Sequence, residues 1–266
     1  MKRVLTAAVL VPFVLYIVFL SPAWAVFLVT AIVAVICYQE YCGIAAGYGV
    51  EKAGPAGYAA GLLVLAMRPQ DGYLVFALLA LITLALAIRV PDLKKALPTA
   101  AFLLLGIVYI FGAWKFAILL RAASPHWLAY GLLLNWIGDT CAYYVGKNFG
   151  RHPLAPRISP KKTWEGAAAS LVGSLIFGTI YLSLAIPAVR PLEGALLSIV
   201  VSIAGQLGDL AESAIKRGAG VKDSGGILPG HGGLLDRVDS TLFALPVVYL
   251  RLYLSAAEIG VRQYPF

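Results

Sequence analysis

The chain has 266 residues, 61% of them hydrophobic and only 13% charged, with a mean hydropathy of +0.85. A soluble domain runs at roughly 45–50% apolar and about 25% charged, so the composition excludes an ordinary soluble fold and predicts an all-α, polytopic integral membrane protein. The net charge of +8 lies in segments between apolar runs, where it reports topology first; anionic lipids are the next reading, and no nucleic-acid partner is expected.

A spanning helix needs about 20 mostly apolar residues. On that template about nine spans are expected, over residues 4–20, 23–38, 54–67, 73–88, 99–114, 127–144, 167–186, 192–210 and 241–254. Lys2 and Arg3, an apolar run and Ala23-Trp24-Ala25 imitate a secretory leader. The run is longer than a leader's apolar core and a second span follows at once, so it reads as a retained first helix, with cleavage the alternative. With the N-terminus in the cytoplasm, 15 of the 21 Lys and Arg fall on the inner side, the bias that sets orientation.

Cys37, Cys42 and Cys141 form no metal or disulfide spacing and read as buried free thiols. No internal repeat is visible. The composition shifts near residue 130, dividing an N-terminal transmembrane region (1–125) from a C-terminal transmembrane region (126–266) with two polar cytoplasmic loops, 146–166 and 211–240. Glu40, at the end of the second span, is the main ionisable exception in the first half and reads as an interfacial residue, with a site role the alternative.

Chemistry concentrates in three places. Asp139 lies in an apolar helical stretch, where an ionised carboxylate costs about 2.5–3.5 kcal/mol; Tyr143 and Gly146 follow on the same face. Lys147, Arg151, Arg157, Lys161 and Lys162 come next. They form either a cationic basket for phosphates or a positive-inside anchor with Asp139 paired to one of them. The run Ser159-Pro160-Lys161-Lys162-Thr163 before Glu165-Gly166 has the look of a shaped turn into the next helix. In GQLGDLAES (205–213), Asp209 and Glu212 share a helix face, as cation ligands or as partners of Lys216 or Arg217. The third place is SAIKRGAGVKDSGGILPGHGGLLDRVD (213–239), dense in charge and glycine. Asp236 and Asp239 are spaced to share a face at the start of the last helix. Hard divalent cations are held by one or two carboxylates plus substrate phosphates, while glycine-loop amides suit anions. Acids for metal with amides, Lys and Arg for phosphate fit phosphoryl or nucleotidyl transfer; a solvated glycine loop is the bland alternative. No P-loop, EF-hand or GxSxG spacing occurs.

The 213–239 stretch, with Asp139-Thr140, Gly146-Lys147, Gly150-Arg151, the SPKKT-x-EG run and GQLGDL, resembles the phosphatidate cytidylyltransferase (CDP-diacylglycerol synthase) family over about residues 135–240. The resemblance implies a Mg²⁺-dependent transfer of CMP from CTP to phosphatidate in the bilayer, giving CDP-diacylglycerol and pyrophosphate. It also implies a multi-pass protein of the bacterial cell membrane, dimeric, with its site facing the cytoplasm. On that basis Asp209, Asp236 and Asp239 are expected to hold the metal, with Asp223 and Asp139 as second candidates for ligands or for orienting cations. Lys147, Lys161, Lys162, Lys216, Arg217, Lys222 and Arg237 are expected to bind phosphates, and His231 to help seat them. Other CTP-using lipid enzymes, and an ion-coupled transporter using Asp139 and Asp209, remain the rival readings. Whether Asp209 meets the Asp236/Asp239 pair in space decides whether one site exists at all.

Overall fold

The structure, a computed structural model, describes residues 2–50, 54–227 and 232–258. Each expected span falls on a helix: α1 (Lys2–Leu20), α2 (Ala23–Ala46), α3 (Pro55–Ala66), α4 (Gly72–Ala87), α5 (Ala96–Gly106), α6 (Ala113–Ala123), α7 (Pro125–Phe149), α8 (Trp164–Ala185), α9 (Pro191–Gly218) and α10 (Leu235–Glu258). A π-helical turn, Ile107–Gly112, joins α5 and α6 into one continuous rod. Proline opens α3, α7 and α9, where its fixed φ suits the first turn and its missing N–H removes a donor that has no helical partner anyway.

Among the described residues six stretches are long and apolar enough to cross a membrane: Ala23–Ala46, Pro69–Ala87, Leu93–Ala123, Trp164–Ala185, Pro191–Gly218 and Leu235–Ser255. Ala8–Leu20 and Pro55–Ala66 are apolar but shorter. α7 stands outside both sets; His126, Asn135, Asp139 and Lys147 interrupt it. The protein is a multi-pass, all-α membrane protein; among the described residues each expected span lies on a helix, and six helical stretches meet the full requirement.

The two halves pack by different means. In the first, aromatic side chains of α2, α3 and the π turn interlock: the Tyr38 ring lies 5.3 Å from Phe111 and 5.1 Å, edge on, from Tyr58. Cys37 and Cys42 are buried there, as expected, while Cys141 is only half-buried. Lys115 on α6 donates to the carbonyls of Leu65 and Met67 at 2.7 Å each, satisfying acceptors left open where α3 ends. In the second half, α8 lies against α7 and α9, and α9 against α10, along a seam of small residues. At Gly138 an added Cβ would stand 2.7 Å from Ser170 Oγ and 2.8 Å from Ser174 Oγ, the close backbone approach that drives helix association in lipid.

Helices extend into the polar segments. α9 runs to Gly218 and α10 starts at Leu235, so much of 211–240 is helix and the connecting loop is 219–234. Between α7 and α8 the all-α expectation gains a small hairpin: β1 (Pro153–Ala155) pairs antiparallel with β2 (Ser159–Thr163). Thr163 then caps α8 by accepting from Gly166 N–H at 3.2 Å. Glu165 ties the hairpin's entry, accepting from the Arg151 and His152 amides and lying 2.6 Å from His152 Nδ1.

Candidate active site

One glycine decides whether the acids of the C-terminal half meet. Gly208 on α9 lies so close to α10 that an added Cβ would stand 2.7 Å from the Asp239 carbonyl oxygen and 2.9 Å from the Phe243 ring. The next residue, Asp209, therefore comes level with Asp239, and Asp209, Glu212 and Asp139 are the acids whose charge acts on Asp239. Asp239 is buried, and its Oδ1 accepts from Ser240 N–H at 2.7 Å.

Lysines are set among these acids. Lys216, one helical turn beyond Glu212, is 8% exposed at its side chain and bridges the two helices, lying 2.5 Å from Glu212 Oε2 and paired with Asp236 of α10. The Glu212 contact lies outside hydrogen-bond geometry, but at that separation the charges are paired; Glu212 Oε1 has no hydrogen-bond partner among the described residues. Lys162, at the end of the hairpin, reaches Asp209 at 2.6 Å. Asp139 faces the same space from α7, with Lys162 and Arg237 as its cationic neighbours. Arg217 braces the hairpin, donating to the Ile158 carbonyl at 3.3 Å and the Val221 carbonyl at 3.0 Å. Lys147 stands over the Tyr143 ring, 5.8 Å from its centroid.

Most of these groups line one cavity of about 1210 Å³. Asp139, Lys147, Lys161, Lys162, Asp209, Lys216, Arg217, Lys222, Asp223, Asp236, Arg237 and Asp239 face it, while the candidates Arg151, Arg157 and Glu212 are not in its lining. His231 lies outside the described residues. Another part of the lining is hydrocarbon: Phe13, Val14 and Ile17 of α1, Val29 and Val33 of α2, and Leu128 of α7. A cavity with one densely ionic wall and one apolar wall, set between membrane helices, suits an amphiphile whose headgroup undergoes the chemistry.

The sequence matches the cytidylyltransferase family over residues 1–255. The chain belongs to this family. Among its relatives are phosphatidate cytidylyltransferases of Bacillus subtilis (strain 168), 39% identical over 183 residues, 68% of this chain and 67% of the relative; of Staphylococcus haemolyticus (strain JCSC1435), 44% over 153 residues, 58% and 59%; and of Staphylococcus aureus (strain COL), 44% over 155 residues, 58% and 59%. The matched segment thus spans about three-fifths of the length of the Staphylococcus proteins.

In this member of the family two of the expected readings meet structural partners that the sequence did not show. Asp236 does not project freely beside Asp239. Its oxygens accept from Ser224 N–H at 3.0 Å and Gly233 N–H at 2.8 Å and pair with Lys216, so it closes the base of the glycine loop. Glu40 is no interfacial side chain. It is buried and accepts from the Ser224 hydroxyl and the Leu234 and Leu235 amides. Backbone partners 194 and 195 residues away leave no mark in the sequence; the one available signal was a single acid on an otherwise apolar helix.

Among the described residues no three His, Cys, Asp or Glu side chains are grouped to hold a metal ion by themselves. A hard divalent cation shared with substrate phosphates needs only one or two carboxylates. The donor set fits that case: it is all oxygen, with Asp209 of α9 and Asp239 of α10 lining the same cavity.

Proposed function

We propose that this chain is a phosphatidate cytidylyltransferase, transferring CMP from CTP to phosphatidate to give CDP-diacylglycerol and pyrophosphate. The observation that carries the reading is the cavity with one ionic and one apolar wall. A phosphatidate oxygen forms a bond to the α-phosphorus of CTP while the bond to the β-phosphate bridging oxygen breaks, and pyrophosphate leaves with that electron pair. No protein nucleophile is needed, because in-line displacement is mostly positioning and charge neutralisation.

In this reading Lys147, Lys161, Lys162, Lys222, Arg217 and Arg237 bind the triphosphate and the lipid phosphate, and His231 with its neighbouring glycines helps seat them. Asp209 and Asp239 hold Mg²⁺, which would neutralise charge on the phosphates. Asp236, expected as a third ligand, shapes the loop through Ser224 and Gly233, and Lys216 keeps Glu212 and Asp236 together. Asp139 and Asp223 orient the cations around them. The apolar wall of α1, α2 and α7 takes the start of the acyl chains, which otherwise stay in the bilayer. The Lys and Arg distribution supports a cytoplasmic position for the ionic wall, where CTP is available. A homodimer belongs to the same proposal.

The test is a purified-protein assay with labelled CTP, phosphatidate and Mg²⁺, which should yield CDP-lipid and pyrophosphate in equal amounts. Turnover with a polyprenol or an ether lipid, and none with phosphatidate, would overturn the acceptor while keeping the cytidylyl chemistry.

A further inference from the structure

Glu40 comes from the half of the chain that holds few other charges, yet its carboxylate is one of two on which the glycine loop closes. It is 5% exposed. Oε1 accepts from Leu234 N–H at 3.0 Å; Oε2 accepts from Leu235 N–H at 2.7 Å and from the Ser224 hydroxyl at 3.0 Å. The first N–H groups of a helix have no partner within it, and the helix dipole favours a negative charge at that end. Glu40 thus caps α10 from another helix, a task normally left to a side chain of the capped segment itself.

The surrounding residues fit this arrangement. An added Cβ at Gly225 would stand 2.6 Å from Glu40 Oε1, and one at Gly233 would stand 2.6 Å from Oε2, so glycine is required on both sides of the carboxylate. Gly232, beside it, has φ of +79°, a conformation that suits glycine. Asp236 holds the same loop ends from the other side, through the amides of Ser224 and Gly233. Two carboxylates, one from each half of the chain, pinch residues 224 and 233–235 together. Asp236, Arg237 and Asp239, the next turn of α10, all face the cavity.

We propose that Glu40 is a positioning residue for the transfer reaction: by fixing the start of α10 and the closed base of the loop, it aims Asp236, Arg237 and Asp239 into the cavity. Glu40 is absent from the cavity lining, so it acts through these residues and touches neither substrate. The proposal rests on the cytidylyltransferase reading for its kinetic arm and on geometry alone for its structural arm.

The experiment compares the full-length wild type with Glu40→Gln and Glu40→Asp, using hydrogen exchange and steady-state kinetics together. Gln keeps the size but turns one acceptor into an N–H₂ group facing N–H donors. Expected is a rise of about tenfold or more in exchange at the amides of 224–227 and 232–235, with α8 unchanged. With it, kcat per folded molecule should fall about 30- to 100-fold while KM for CTP moves less than about threefold. Asp should recover part of both. Wild-type exchange in folded Glu40→Gln, or raised exchange with unchanged kcat, would overturn the proposal. A purely structural role would lower thermal stability and leave kcat of the folded fraction intact. If Glu40→Gln does not fold, Gly225→Ala presses on the same carboxylate and is judged by the same two outcomes. Should the wild type make no CDP-lipid, the exchange arm still tests the pinch, so the two readings fail separately.

Discussion

The two halves of the molecule solve the same problem, holding helices together in lipid, by opposite means. Around Tyr38, Tyr58 and Phe111 the first half interlocks large rings, and two of its charged groups, half-buried Lys115 and buried Glu40, are tied to backbone or to one serine. The second half strips side chains down to Gly and Ser at the contacts, as at Gly138 and Gly208, and beside these contacts five acids and their lysines gather around the cavity. Ring packing excludes water and charge. Small-residue packing brings backbones close enough that helix-borne charges are forced to pair with each other. The contrast teaches why the reactive groups sit in α7–α10 while the first half supplies the apolar wall and one long-range brace.

The largest expected effect tests the chemistry of the second half. Asp239→Asn and Asp209→Asn keep the shape and remove one charge each, so kcat should drop roughly 100- to 1,000-fold with the thermal midpoint little changed. Labelled-CTP turnover measured beside a melting curve decides it: near-normal turnover in either variant removes that residue from the metal site.

Next comes Lys216→Met. The lysine lies between Glu212 and Asp236, whose side chains are 1% and 9% exposed, and removing one partner of a buried pair costs about 3–5 kcal/mol because the remaining charge is stranded. The variant should unfold at much lower temperature or denaturant. Lys162→Met should not, since Lys162 and Asp209 are 28% and 32% exposed and solvent screens the pair; it should lose rate instead. Equal melting behaviour of the two variants would erase the distinction between the buried bridge and the cavity-facing one.

These residues were legible in the sequence for a physical reason. In a chain that is 61% hydrophobic, an acid or lysine on a helix is costly, so Asp139, Asp209, Lys216 and Asp239 stand out against their background. What was not legible depends on partners. Asp236 and Asp239 look equivalent by spacing, yet one is taken by the amides of Ser224 and Gly233 and the other is not. The end of the polar segment 211–240 was less legible: α10 already begins at Leu235, and acids are favoured in a first helical turn as much as in loops. The short hairpin hides behind Pro153, Pro156 and Pro160, which suggest turns more readily than strands.

Gly208→Ala tests the seam directly. Its Cβ would meet the Asp239 carbonyl at 2.7 Å and the Phe243 ring at 2.9 Å; the carbonyl belongs to a helix backbone and cannot swing aside. Forcing a methyl into such a contact costs about 1–3 kcal/mol and moves α9 away from α10, so turnover should fall by more than the stability loss alone explains. Kinetics corrected for the folded fraction will show this. A Gly208→Ala enzyme with wild-type kcat would mean that Asp209 and Asp239 need not be held at this separation.

The smallest effect has the opposite sign and comes from the first half. Gly43 lies on α2, three residues past Glu40, with nothing within 4 Å of a Cβ built there and with ordinary helical backbone. Alanine meets no neighbour there and loses less backbone freedom on folding than glycine, so Gly43→Ala should be neutral in turnover and should stabilise by about 0.5–1 kcal/mol. The comparison with Gly208 is controlled, since each adds one methyl to a glycine of a long helix. If Gly43→Ala instead lowers kcat while stabilising the protein, α2 has to bend near Glu40 during turnover, and the first half contributes motion to the reaction as well as a wall and a brace.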